Sequence, residues 1–134
     1  MTQYYSEHSQ YWVSVDCIVF GFDNNHLKLL IGRRQMDPGR GEWSLYGGFV
    51  RVNESLEDAA NRVLHDLTGM RKIYMKQVGA FGAVDRDPGE RVISVAYCAL
   101  INVHDTTTSC ASNMGCSGST LIRCLVSIPT TTRW

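Results

Sequence analysis

The sequence predicts an α/β chain of the α+β kind, a mixed sheet with at least one helix packed on it. Three observations carry this. Several short runs are rich in β-branched and aromatic residues. A single segment, 55–68, has a helical apolar stripe with start and stop signals. The order is strand, strand, strand, helix, strand, strand, which suits a layered sheet-and-helix domain.

Each element has its own warrant. In YWVSVDCIVFGF (11–22), Val13, Val15, Cys17 and Val19 share one face at the two-residue period of a strand. Asp23-Asn24-Asn25-His26 reads as a turn, because Asn and Asp tolerate left-handed backbone angles. LKLLIGRR (27–34) returns as a second strand, and Asp37-Pro38-Gly39-Arg40-Gly41 reads as a loop. WSLYGGFV (43–50) reads as a short strand running into a Gly-Gly turn. Ser55 with Asp58 three residues on forms a capping-box start. Leu56, Ala59, Ala60, Val63, Leu64 and Leu67 then form the helical stripe, and Gly69 stops it. Strands are predicted over 72–82 and 91–102, joined by AVDRDPGE.

At 134 residues the chain has one domain's length. Its 13 Lys+Arg and 13 Asp+Glu leave no basic excess, hence no electrostatic footprint for nucleic acid in this chain alone. The polar start MTQYYSEHSQYW lacks the pattern of a signal peptide, and no stretch approaches a membrane span. Five cysteines without a C-x-x-C pair are expected to be reduced thiols in a cytoplasmic protein. Cys17 and Cys98, in apolar strands, read as core residues.

Composition breaks near residue 104. Residues 105–134 hold only three charged residues, Asp105, Arg123 and Arg133, against 23 before them, and twelve of these 30 are Ser or Thr. DTTTSCASNMGCSGST has neither helical nor strand period. LIRCLVSI could be a strand, but the sequence offers it no clear partner. The expected division is a domain over 1–104 and a Ser/Thr-rich tail over 105–134, disordered or read in a shifted frame.

The chemistry concentrates between Gly48 and Met70. Gly48, Glu54, Arg62, Gly69 and Met70 have the spacing of the Nudix box, G-x5-E-x7-R-E-U-x-E-E-x-G-U with U aliphatic. Trp43, Leu45, Gly47, Gly48, Ala59 and Ala60 stand where that family carries W-x-L-P-G-G and A-A. DRDPGERVISVAY is similar to the D-R-D-P-R-x-x-V-V-S-V-A-Y stretch of the ADP-ribose-pyrophosphatase-like branch, which includes the sensor domains of Nudix-related transcriptional regulators. The chain thus resembles the Nudix superfamily from about Tyr11 to about Asn102. The resemblance implies an α/β/α sandwich, incomplete here at its C-terminal end. A shifted frame after 104 would explain this: codons chosen for the tail and read two bases later can yield the charged peptide HDDKLREQHGLQWVNIDKM, with a W-V-x-I-D pattern of Nudix-like domains.

Nudix enzymes cleave nucleoside-linked pyrophosphates with Mg²⁺ held by several carboxylates on one helix face. Here the R-E-U-x-E-E core reads Arg62-Val63-Leu64-His65-Asp66-Leu67, so two of three helix carboxylates are apolar. Only Glu54 and Asp66 could meet a cation, and Tyr46 replaces the proline of P-G-G. The resemblance then implies a degenerate domain that binds a sugar- or nucleotide-derived effector without cleaving it. The alternative is a Mg-dependent pyrophosphohydrolase acting on ADP-ribose or a related nucleoside diphosphate derivative. No cofactor is expected unless residual hydrolysis calls for Mg²⁺, and a homodimer is compatible with either reading. No catalytic residue is assigned, and the box remnant is Glu54, Arg62 and Asp66. Arg62 is expected to pair with Glu54 or Asp58, and His65 to be solvated. Ligand contacts are expected from Arg33, Arg34, Arg40, Gly47, Gly48, Arg86 and Asp87, each weighed against a purely structural loop.

Overall fold

The computed structural model describes residues 3–23, 25–34, 36–37, 39–103 and 125–127. A four-residue helix, α1 (Gln3–Ser6), precedes β1 (Trp12–Asp23), β2 (His26–Leu30), β3 (Gly32–Arg33), β4 (Trp43–Ser44) and β5 (Tyr46–Phe49). The long helix α2 (Leu56–Thr68) follows, then β6 (Lys76–Phe81), β7 (Val92–Asn102) and β8 (Leu125–Ser127).

β1 organises the main sheet. It pairs in parallel with β7 along eleven residues, from Trp12↔Val92 to Phe22↔Asn102. On its other edge it pairs antiparallel with β5 over Ser14–Cys17 and with β2 over Phe20–Asp23. β6 lies antiparallel outside β7, and β8 lies antiparallel outside β2. The sheet is therefore mixed, as the sequence predicts. A strand so long and apolar can sit centrally because its ladder is satisfied on both sides.

The core lies between this sheet and α2. Val15, Cys17 and Val19 are fully buried, and Val95, Tyr97, Ala99 and Ile101 of β7 join them on the same face. α2 presents Ala59, Ala60, Val63 and Leu64 to that face, and Met70 closes its far end. The helix begins with a complete capping box: Ser55 accepts from the Asp58 N–H, and Asp58 accepts from the Ser55 N–H. It ends at Gly69 in the left-handed region, φ 75°, whose N–H donates to the His65 carbonyl. Cys17 is core, as expected, and its Sγ reaches the Ala60 carbonyl at 3.5 Å. Burial pushes that thiol up to about 11. Cys98 is only half-buried.

Several readings change; the 43–50 run, read as one short strand, divides between β4 of a two-stranded sheet and β5 of the main sheet. α1 was not foreseen. The 27–34 run is two strands, since β2 joins the main sheet while β3 pairs with β4 in a separate two-stranded sheet. The strand expected from 72 begins at Lys76, and Lys72 has φ 53°, a conformation incompatible with a regular strand. The LIRCLVSI run has a partner after all: Leu30↔Leu125, Leu29↔Val126 and Lys28↔Ser127 are in register. The rest of 105–134, and with it the proposed frame shift, lies outside the described residues. So does the side chain of Leu67. Among the described residues one helical layer, α2, covers the sheet, and no helix is long and apolar enough to cross a membrane.

Candidate functional site

The Gly47-Gly48 pair is not a turn. Both glycines lie inside β5, paired with Asp16 and Val15 of β1. Alternation then puts them on opposite faces of the sheet. Gly48 faces the core, where an added Cβ would come within 2.8 Å of Val63 Cγ2. Gly47 faces away, and an added Cβ would collide with the Asp16 carboxylate and lie 3.0 Å from the Val15 carbonyl. Glycine is required here by close approach, not by backbone angle.

The box remnant divides in two. Glu54 and Arg62 form a bidentate pair, with Arg62 Nε donating to Oε2 at 2.8 Å and Nη2 to Oε1 at 2.6 Å. Glu54 also accepts from the Arg51 N–H at 2.8 Å, and Arg62 donates to the Phe49 carbonyl at 2.9 Å. This network ties the loop before α2 to the end of β5. The Arg62 hydrogen bonds, helped by Arg51, hold the Glu54 carboxyl down at about 2. Of the two partners predicted for Arg62, the structure selects Glu54, because Asp58 is engaged in the capping box. Asp66 takes no part in these hydrogen bonds, although its charge acts on Arg62; its side chain is 53% exposed and its Oδ1 lies 3.5 Å from His65 Nδ1. Val63 is buried at 3% exposure.

The arginines expected near the glycines make different local contacts. Arg33 lies over the Trp43 ring, 4.6 Å from its centroid, and donates to the Gly41 carbonyl at 2.8 Å. The backbone of Arg34 exchanges hydrogen bonds with Gly41 and Glu42, which closes the 34–42 hairpin. Arg40 is exposed. The 82–91 loop is a built turn: Asp87 accepts from the N–H groups of Gly89 and Glu90, and Arg91 donates to the carbonyls of Gly82 and Ala83. Those two backbone bonds hold the Asp87 carboxyl below its usual range, assisted by Arg86 and Arg34.

Arg86 reaches elsewhere. Its Nη2 lies 3.9 Å from Asp16 Oδ2, and the same oxygen accepts a hydrogen bond from the hydroxyl of Ser94, a residue 1% exposed. Asp16 and Ser94 were missed by sequence reasoning. A signal existed, because Asp16 is the one charged residue within 12–22 and falls out of phase with Val15 and Cys17. It must face away from the core, beside Gly47. Tyr46 was noted only as a replaced proline. Its ring fills the space over Gly32, where a Cβ would lie 2.7 Å from the hydroxyl.

A mixed sheet bearing one capped helix, with a glycine pair in the strand before it and a Glu–Arg clasp over the helix start, defines the Nudix class of domain. The NUDIX domain description matches residues 10–115, and the chain belongs to that family. It is 36% identical over 92 residues to the ADPR responsive transcriptional repressor NtrR of Acinetobacter baylyi, covering 67% of this chain and 37% of that protein. It is 34% identical over 70 residues to the ADP-ribose pyrophosphatase of Methanocaldococcus jannaschii, covering 52% of this chain and 41% of that protein. The chain thus spans about two-fifths of the length of these curated relatives. Among solved structures, the NUDIX domain of Shewanella oneidensis NrtR complexed with ADP ribose matches at TM-score 0.67 and 29% identity, covering 76% of this chain and 72% of that one. A MutT/nudix family protein from Enterococcus faecalis matches at TM-score 0.68 and 32% identity, covering 73% and 41%.

Proposed function

We propose that this Nudix domain binds an effector of the ADP-ribose class and does not hydrolyse it, as the sensing part of a regulator. The observation that carries the reading is Val63. The first glutamate of the box's R-E core is replaced by a side chain packed into the core against Gly48. A carboxylate there would face the β5 backbone, and this chain offers a methyl group. The remaining acids do not fit a Nudix-type Mg²⁺ site. Both oxygens of Glu54 are engaged by Arg62, with Arg51 adding a second bond, and the Asp66 side chain is half exposed beside His65. Among the described residues no group of three His, Cys, Asp or Glu side chains is placed to hold a metal.

The regulator relatives support the sensing half of the reading, because their names attach ADP-ribose to a response and to a bound complex. The chain's zero net charge gives it no footprint for DNA of its own. The second reading, a Mg-dependent pyrophosphohydrolase, is favoured by the retained acid Asp66 and by the likeness to the M. jannaschii ADP-ribose pyrophosphatase.

Calorimetry with ADP-ribose, with and without Mg²⁺, together with product analysis by chromatography, separates the two. Saturable binding without Mg²⁺ and with intact ADP-ribose recovered is expected. Turnover near 1 per second, about the pace of an ordinary enzyme, would establish the hydrolase.

A further inference from the structure

The face of the sheet turned away from α2 carries a polar centre flanked by aromatic rings, and both follow from strand register. Ser14 and Asp16 of β1 share that face with Gly47 and Phe49 of β5, since Ser14 pairs with Phe49 and Asp16 with Gly47. Trp12, two residues before Ser14, joins the same row. Its ring lies 5.5 Å from that of Phe49, and the two residues are 57% and 53% exposed. Diagonal neighbours across antiparallel strands stand roughly 7–8 Å apart, which sets the distance from Phe49 to Asp16.

The Asp16 side chain is held in one orientation. Ser94, itself buried, donates to Oδ2, and Arg86 approaches the same oxygen. Oδ1 has no hydrogen-bond partner among the described residues. It lies over Gly47, where the missing Cβ leaves it room. Asp16 and Arg86 are 33% and 29% exposed at the side chain, so a ligand can reach both. An acceptor-only carboxylate oxygen asks for a donor, and the guanidinium beside it offsets the repulsion that an anionic ligand would meet.

We propose that Asp16 is a specificity-determining residue that reads a sugar hydroxyl of a ribonucleotide ligand, with its base on the Trp12–Phe49 rings. This rests on the reading of the domain as a binder of nucleotide-derived effectors. The free Oδ1 accepts from a ribose hydroxyl, the geometry in which a fixed carboxylate recognises a diol. The two rings, tilted 55° to each other, offer one stacking face and one flanking edge about one nucleoside's length away. Arg86 faces the phosphate side. Ser94 is a positioning residue: it touches no ligand and keeps Asp16 from turning away.

The test uses the full chain and calorimetric titration with ADP and with 2′,3′-dideoxy-ADP, after ADP-ribose has been titrated as a control. Wild type should bind ADP at least about tenfold tighter than the dideoxy form. Asp16→Ala should bring the two within about twofold of each other, chiefly by weakening ADP. Arg86→Gln should weaken both alike and leave their ratio intact. Equal affinity of wild type for ADP and dideoxy-ADP overturns the assignment of Asp16 while leaving the binding reading standing. This arm needs no variant, so misfolding of Asp16→Ala cannot mask it. Absence of binding by ADP-ribose and ADP alike overturns the binding reading and this subsite together.

Discussion

Val63→Glu restores the first helix glutamate of the box and tests whether this position is a site or a piece of core. Val63 is 3% exposed, and its Cγ2 presses on the Gly48 backbone. Full burial of a valine contributes roughly 1.5–3 kcal/mol, of which the stem of a glutamate recovers part, leaving a loss of about 1. The introduced carboxyl must ionise between α2 and the sheet. Burial raises a carboxyl pKa by up to about 3–5 units in full enclosure, and about 2–3 units allows for relaxation of the long glutamate side chain towards the partly buried Val50 and Tyr46. At about 1.4 kcal/mol per unit that adds roughly 3–4. The deficit at pH 7 should therefore be about 4–5 kcal/mol, a large share of the 5–15 typical of a domain. A raised folded-state pKa makes the electrostatic part a penalty above the unfolded value, and it fades on acidification. The deficit should shrink to about 1–2 kcal/mol near pH 4. Urea unfolding of both proteins at pH 7 and pH 4, with and without 5 mM Mg²⁺, reads this out. A variant as stable as wild type at pH 7, or one that Mg²⁺ restores, would refute the reasoning, because it would show the position open to solvent and metal.

Other expectations are more local. The Glu54 carboxyl, held at about 2 by Arg62, contributes stability that is fully present above its ordinary value of 4.5 and is lost as pH falls from there through about 2. The urea midpoints of wild type and Glu54→Gln should differ by a constant amount above pH 5 and converge towards pH 2; a gap unchanged at pH 2 would remove the ion pair as its cause. Gly48→Ala forces a Cβ to within 2.8 Å of a stiff valine and should cost about 1–3 kcal/mol, as overpacking does; recovery in Gly48→Ala with Val63→Ala, measured as a double-mutant cycle, checks the contact. Native-state alkylation at pH 8 followed by peptide mass mapping should modify Cys98 well before Cys17, whose thiol is buried and raised to about 11. Hydrogen exchange should show the β2 amides that face β8 protected; fast exchange across Lys28–Leu30 would deny the pairing.

The sequence by itself determined the elements whose signals are local. Period-2 apolar runs placed β1 and β7 to within a residue or two, and the Ser55–Asp58 box and Gly69 set the ends of α2. The spacing from Gly48 to Met70 was enough to reach the family, because each matched residue keeps a fixed role at a fixed distance along the chain. What needed the tertiary structure was every relation between strands. The Gly-Gly pair looks like a turn until β1 is found alongside it, and then one glycine proves to admit Val63 and the other Asp16. The 27–34 run reads as one strand until its two ends are seen to pair in different sheets. LIRCLVSI had no visible partner because its partner, β2, lies almost a hundred residues earlier. Asp16, Ser94 and Arg86 come from three separated segments, and nothing in their spacing announces that they meet. Local propensity and capping are written along the chain, whereas register and face depend on which strand lies beside which, and only the folded sheet fixes that.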